Sequence, residues 1–130
     1  MMQISIFLKR VLLLDSASCL GMGALLALGA GALSPLFGLD AALVQGAGLA
    51  LIPIGLFMAW VGTRQATPAL FVYAIIAGNL LWTAESLLLI GSTPGISAIG
   101  TAFVAAQAVA VAGLATLEYA GVRKSRPAAA

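Results

Sequence analysis

Residues 41–62 read AALVQGAGLALIPIGLFMAWVG, an apolar run with one Gln, one internal Pro and no charged side chain. A helix that crosses a bilayer needs about 20 consecutive, mostly apolar residues. This run supplies them between two charges, Asp40 and Arg64. The rest of the chain repeats the pattern, with charge-free stretches over Ser16–Leu39, Gln65–Ala84 and Ser86–Leu117. Of the 130 residues, 62% are hydrophobic, 8% are charged and none is His. Soluble domains carry roughly 45–50% apolar and about 25% charged residues, so a soluble enzyme, a nucleic-acid module and a disordered tail are excluded.

Turn signals divide the apolar sequence. Ser34-Pro35 with Gly38 separates the first stretch from the second, Thr67-Pro68 opens the third, and Gly91-Ser92-Thr93-Pro94-Gly95 precedes the fourth. The spacing predicts helices at about 11–32, 41–62, 68–91 and 97–121. The expected fold is all-α: a single transmembrane domain over 1–130, with four helices in an antiparallel bundle. Pro53 falls inside the second helix and frees a carbonyl there.

Orientation follows from the cations. Lys9 and Arg10 precede the first helix, Arg64 lies between the second and third, and Arg123, Lys124 and Arg126 follow the fourth. The turns at 33–40 and 92–96 contain no cation. Lys and Arg are retained on the cytoplasmic side, so both termini are expected inside, in a cell inner membrane. Trp60 and Tyr119 lie near the same helix ends, where aromatic anchors belong. The net charge is only +2 and gives no reason to expect nucleic acid as a partner.

The single cysteine, Cys19, excludes an intrachain disulfide and a Cys-based metal cluster. Asp15 interrupts the short run Val11–Leu14, so the first helix is expected to stay as an anchor and not to be cleaved as a signal peptide. Helices in lipid associate through small residues. Cys19, Gly23, Ala27 and Gly31 fall at successive i+4 steps on the first helix, and Asp15 begins the same ridge. Ala42, Gly46 and Ala50, then Gly55 and Ala59, repeat the idea on the second, and the fourth is rich in Ala. That much small-residue surface predicts lateral association with another copy or a larger membrane complex.

Ionisable residues inside a membrane are costly and so mark function by default. Asp40 is placed to cap the second helix. Asp15 and Glu118 lie at the depth of the cations and are read as part of an interfacial charge cluster with Lys9, Arg10, Arg64 and Arg123. Glu85 differs. At 1.5 Å per residue it lies about 9 Å inside the end of its helix that lacks cations. Gln45, Asn79 and Gln107 are the polar residues expected to join it, with Trp82 one turn away. This set is the candidate proton or ligand site. No catalytic, cofactor or metal constellation is present: there is no His, no Ser–His or Cys–His pair, and no phosphate loop.

The size and helix pattern invite comparison with small multidrug resistance transporters, but that family carries its essential glutamate in the first helix, where this chain has only Asp15. The strings LLLDSASCLGMGALLAL, GNLLWTAESLLLI and AQAVAVAGLATLEYAGVR more closely resemble small uncharacterised four-helix proteins of bacterial inner membranes. That resemblance implies architecture and no activity. Two functions are therefore expected of the sequence. One is a non-enzymatic accessory, assembly or scaffold subunit that packs laterally in the bilayer. The other is a small oligomeric proton- or cation-coupled transporter or channel that uses Glu85.

Overall fold

The computed structural model describes residues 1–127. They form four helices, α1 (Ile6–Phe37), α2 (Ala41–Gly62), α3 (Ala69–Ser92) and α4 (Ala98–Lys124), with three two-residue strands, β1 (Met2–Gln3), β2 (Ala66–Thr67) and β3 (Arg126–Pro127). Each helix is long and apolar enough to cross a membrane.

Helix α1 exceeds its expected bounds of 11–32 at both ends. It starts where the Ser5 hydroxyl caps it, accepting from the Leu8 amide at 3.1 Å. Lys9 and Arg10 do not delay it, because long cationic side chains reach out from a helix end while their stems stay on apolar surface. Nor does Ser34-Pro35 break it. Proline lacks the N–H that would bond the carbonyl four residues back, and in a final turn little remains to be disrupted. The helix stops only at Gly38, which adopts φ 69° and donates its N–H to the Ser34 carbonyl at 2.9 Å. That left-handed cap suits glycine, which has no Cβ to oppose it. Pro53 remains within α2 and does not end it.

The α1/α2 contact is the most extensive in the molecule. It is built on Gly48, Gly55 and Gly62. A Cβ on Gly48 would strike backbone atoms of Gly23, Leu26 and Ala27; one on Gly55 would meet Cys19 and Leu20; one on Gly62 would meet Leu12 and Leu13. The Ser16 hydroxyl adds a 2.8 Å bond to the Gly55 carbonyl. Gly23 and Gly55 therefore pack as the small-residue reading expected, whereas Gly31 and Gly46 face no neighbour within 4 Å. Gly46 and Gly48 are two residues apart, about 200° around a helix, so the close-packing edge of α2 is the one through Gly48.

This makes a prediction. Gly48→Ala should destabilise the protein by about 1–3 kcal/mol through overpacking. Gly46→Ala should stay within about 0.5 kcal/mol of the parent. Unfolding in mixed micelles of increasing denaturing detergent would check both.

Helix α3 packs on α4, α4 packs on α1, and α2 scarcely meets α3. The molecule is thus two helix pairs joined along α1 and α4, where Leu8 seats on Gly121. At one end, β1 is the central strand of a small antiparallel sheet, with Met2 opposite Thr67 and Pro127, and Gln3 opposite Ala66 and Arg126. The sheet gathers both terminal segments and the α2–α3 turn. At the other end, Ser97 bonds α1 through its amide to the Phe37 carbonyl (2.9 Å) and through its hydroxyl to the Leu36 carbonyl (2.7 Å). Two apolar clusters fill the contacts. One surrounds Leu8, Leu12, Met58, Val61 and Val72; the other surrounds Leu26, Phe37, Leu51 and Val104. In the second, the Phe37 and Phe103 rings stack with centroids 4.6 Å apart.

Candidate functional site

Asp15 and Glu118 are the most deeply enclosed charged residues, at 1% and 0% exposure. They come from α1 and α4, and Asn79 of α3 stands between them. Its amide nitrogen donates to Asp15 Oδ2 at 2.8 Å and to Glu118 Oε1 at 2.7 Å. An amide NH2 has two donors, and here each carboxyl takes one. One side-chain nitrogen therefore holds both carboxyls together. Glu118 Oε2 is buried and has no hydrogen-bond donor among the described residues. One turn above Asp15, Cys19 directs its sulfur to Asp15 Oδ1 at 3.7 Å and to the Met58 sulfur at 3.9 Å.

This corrects the expectation of an interfacial cluster. Asp15 and Glu118 bond Asn79, while Arg10, Arg64, Arg123 and Lys124 are exposed at the end of the molecule that carries the sheet. Arg64 lies over the Trp60 ring at 4.9 Å, and the Lys124 ammonium lies over Phe7 at 4.2 Å. Depth along the axis placed the acids near the cations; rotation about the axis turns them inward. The signal for Asp15 was its place at the head of the Cys19–Gly23–Ala27 ridge, which faces α2 and the interior.

The expected Glu85 network divides. Asn79 belongs to the acid pair. Gln107 and Trp82 form a second group: Trp82 Nε1 donates to Gln107 Oε1 at 2.8 Å, Gln107 Nε2 donates to Ser86 Oγ at 2.8 Å, and Ser86 donates to the Trp82 carbonyl at 2.7 Å. Glu85 and Gln45 are exposed, and among the described residues neither makes a side-chain hydrogen bond. The register explains this. Asn79, Trp82 and Ser86 follow 3–4 spacing along the face of α3 that meets the other helices. Glu85 is one residue, about 100°, off that face.

A cavity of about 710 Å³ lies between the helix pairs where α2 and α3 stand apart. Asp15, Cys19 and Asn79 line it at one side, Trp82 and Gln107 at another, and Phe57, Met58 and Phe103 contribute apolar wall. A second cavity of about 440 Å³ lies toward the end that carries Ser97, and Glu85 lines it. The two cavities share Met22, Trp82, Phe103 and Gln107 as common wall. The Trp82–Gln107 pair is therefore part of a partition, with Glu85 on one side and Asp15 on the other. Among the described residues no three His, Cys, Asp or Glu side chains converge as a set of metal ligands. No family model matches the chain, and no curated protein or solved structure does so either.

Proposed function

We propose that this is a multi-pass protein of the bacterial inner membrane whose Asp15–Asn79–Glu118 centre exchanges a proton for a cation. The observation that carries the reading is the enclosure of two carboxyls on one shared amide, with no donor to Glu118 Oε2 among the described residues. Two like charges held together in a low-dielectric interior repel strongly, and among the described residues no cationic side chain is bonded to relieve them. Protons relieve them instead. With a proton on each carboxyl the site is neutral. With one proton gone the pair carries one negative charge, which a monovalent cation entering beside Asp15 would neutralise. A site neutral in both loaded states is suited to work within a bilayer, where an uncompensated charge costs several kcal/mol.

Four observations support the membrane setting, the helix directions, the orientation and the path in turn. Large apolar side chains such as Leu28, Leu70, Leu88 and Val109 point outward, as lipid contact requires. Partners ascend α2 from Gly48 to Gly62 as they descend α1 from Gly23 to Leu12, which favours an antiparallel bundle. The sheet draws both terminal segments to one end, where Lys9, Arg10, Arg64, Arg123 and Lys124 also lie, so that end is read as cytoplasmic. Glu85 lines the cavity toward the opposite end and becomes the outer acid of the path.

Infrared spectroscopy in lipid nanodiscs tests the centre. The carbonyl stretch of a protonated carboxylic acid is expected at neutral pH, and the double variant Asp15→Asn/Glu118→Gln should lose it. Fully ionised carboxyls at neutral pH in the native protein would end the proposal.

A second reading rests on a different observation. Gly21, Gly31 and Gly113 face open space and line neither cavity, so small-residue surface is left unused within one chain. That surface favours lateral packing with another copy or a larger complex, which is the accessory-subunit role. Native mass spectrometry from the source membrane separates the cases, because a reproducible foreign subunit is expected only if the chain is an accessory.

A further inference from the structure

We infer that the cleft between α2 and α3 holds one anionic phospholipid, whose headgroup meets Arg64 and whose acyl chain lies in the larger cavity. This rests on the bilayer setting and the cytoplasmic end proposed above, and not on the proton exchange. The cavity opens between the helix pairs where α2 and α3 stand apart. Ile54 and Phe57 line it yet remain 42% and 37% exposed, so nothing within the chain covers them. Ala74 and Gly78 of α3 keep the cleft wide, and a Cβ built on Gly78 meets no atom within 4 Å. The rest of the wall is mostly apolar.

Depth and charge choose the occupant. At 1.5 Å per residue, the lining from Phe57 to Leu51 lies about 8 to 16 Å from the end of α2 at Gly62. One leaflet, half of the hydrocarbon core, is about 15 Å deep, so the cleft sits at the level of a lipid's chains. Trp60 stands at its mouth, and the Arg64 guanidinium lies over that ring, 4.9 Å from the centroid. Arg64 is exposed, and among the described residues the acids are all engaged or distant. Asp15 and Glu118 are buried on Asn79, Asp40 begins α2 at the opposite end, and Glu85 lines the far cavity. A cation left open at headgroup level attracts an anionic lipid.

Other occupants fit less well. A helix from a second copy is about 10 Å across. At the mouth, however, α2 and α3 touch: the Phe71 ring lies 5.7 Å from that of Phe57 and 6.0 Å from that of Trp60, centroid to centroid. A single acyl chain can pass over these rings and turn into the cleft, whereas a helix cannot. The small-residue surfaces at Gly21, Gly31 and Gly113, which suit another copy, line neither cavity. A free anion would satisfy Arg64 and leave the apolar cleft empty. The lipid chain, in contrast, completes the wall that α2 and α3 leave open and shields Asp15 and Asn79 from the side.

Native mass spectrometry of the full chain, in micelles with equal amounts of dioleoylphosphatidylglycerol and dioleoylphosphatidylcholine, tests this. The two lipids share their chains and differ in net charge. The protein should retain one lipid, with the anionic one favoured about fivefold, the effect of one cation near a membrane surface. Arg64→Gln should still retain a lipid but lose the preference. Arg123→Gln should keep it, because Arg123 is about two and a half helical turns beyond the cleft residue Leu114 and so faces away. Gly78→Phe should fill the cleft and lower retention of both lipids roughly tenfold or more, the effect of uncovering about two methylene groups. Gly78→Ala should retain them as the parent does, and the Arg64/Arg123 comparison stands without either Gly78 variant.

Equal retention of the two lipids by the native protein would overturn the inference. A preference lost equally in Arg64→Gln and Arg123→Gln would do the same, as would retention unchanged in a folded Gly78→Phe. A lipid-free dimer in these spectra would assign the cleft to a second copy instead. The infrared band of the acid pair is a separate result: its loss would leave the lipid seat standing, and loss of the lipid would leave the acid pair standing.

Discussion

Replacing Asn79 by Leu is expected to be among the most damaging single changes in this protein, lowering its stability by about 2–4 kcal/mol. The side chain keeps its branched shape and its number of heavy atoms, so the loss is mainly chemical. Asn79 supplies one N–H to Asp15 and one to Glu118, and both acids are buried. Without it, two enclosed acceptors lose their donor, each at a cost of roughly 1–3 kcal/mol, and α3 loses its polar tie to α1. Hydrogen bonds in membrane proteins are often weaker, averaging about 0.6 kcal/mol in cycles, because the separated helices find other partners. Here the groups left behind are carboxyls with no cationic side chain bonded to them among the described residues, which raises the effect above that average. Asn79→Leu combined with Asp15→Leu should recover part of the loss, since removing an acceptor along with its donor leaves less to satisfy. Detergent-induced unfolding of the three proteins measures this. A loss below about 0.5 kcal/mol for Asn79→Leu would mean that the acids find other partners and that the triad does not organise the helices.

Trp82→Ala is expected to change access instead of cohesion. Trp82 and Gln107 stand in the wall shared by the two cavities, joined by a 2.8 Å bond. Removing the indole should merge the cavities and connect Glu85 to Asp15. Cys19, the one cysteine in the chain, lines the larger cavity and reports on this without an introduced label. A charged, membrane-impermeant thiol reagent added from the side of Ser97 should modify Cys19 at least about tenfold faster in Trp82→Ala than in the parent, because modification depends on the reagent reaching the sulfur. Trp82→Phe keeps most of the plug and should label close to the parental rate. Elution of each variant as a single folded species separates opening from unfolding. Equal rates in all three would show that Trp82 does not divide the path.

The architecture was legible because it depends on quantities that are local along the chain. Apolar stretches of spanning length, turn residues at their ends and the position of every Lys and Arg are one-dimensional facts. Residues 41–62 are α2 in sequence and in space. The extension of α1 through Pro35 to Phe37 was less legible, because proline near a helix end costs so little that the sequence pattern does not distinguish the last turn from the break. Gly38 was the true stop, recognisable afterwards by its left-handed backbone.

What remained to the tertiary structure was rotation. These helices are apolar on nearly every side, so no amphipathic stripe marks which face turns inward. Gly46 and Gly48 are equally small, and only the approach of α1 chooses between them. Asp15 and Glu118 are 103 residues apart by their numbering, and nothing local relates them. Glu85 was singled out because it lies deep with no cation nearby, a correct account of depth that carries no azimuth. The sequence by itself thus determined how many helices there are, where they begin and end to within five residues, and which end gathers the positive charge. The packing of α1 on α4, with Asn79 reaching from α3, decided which acids meet. Depth follows from counting residues along one helix, whereas a meeting of side chains depends on how separate helices turn about their axes.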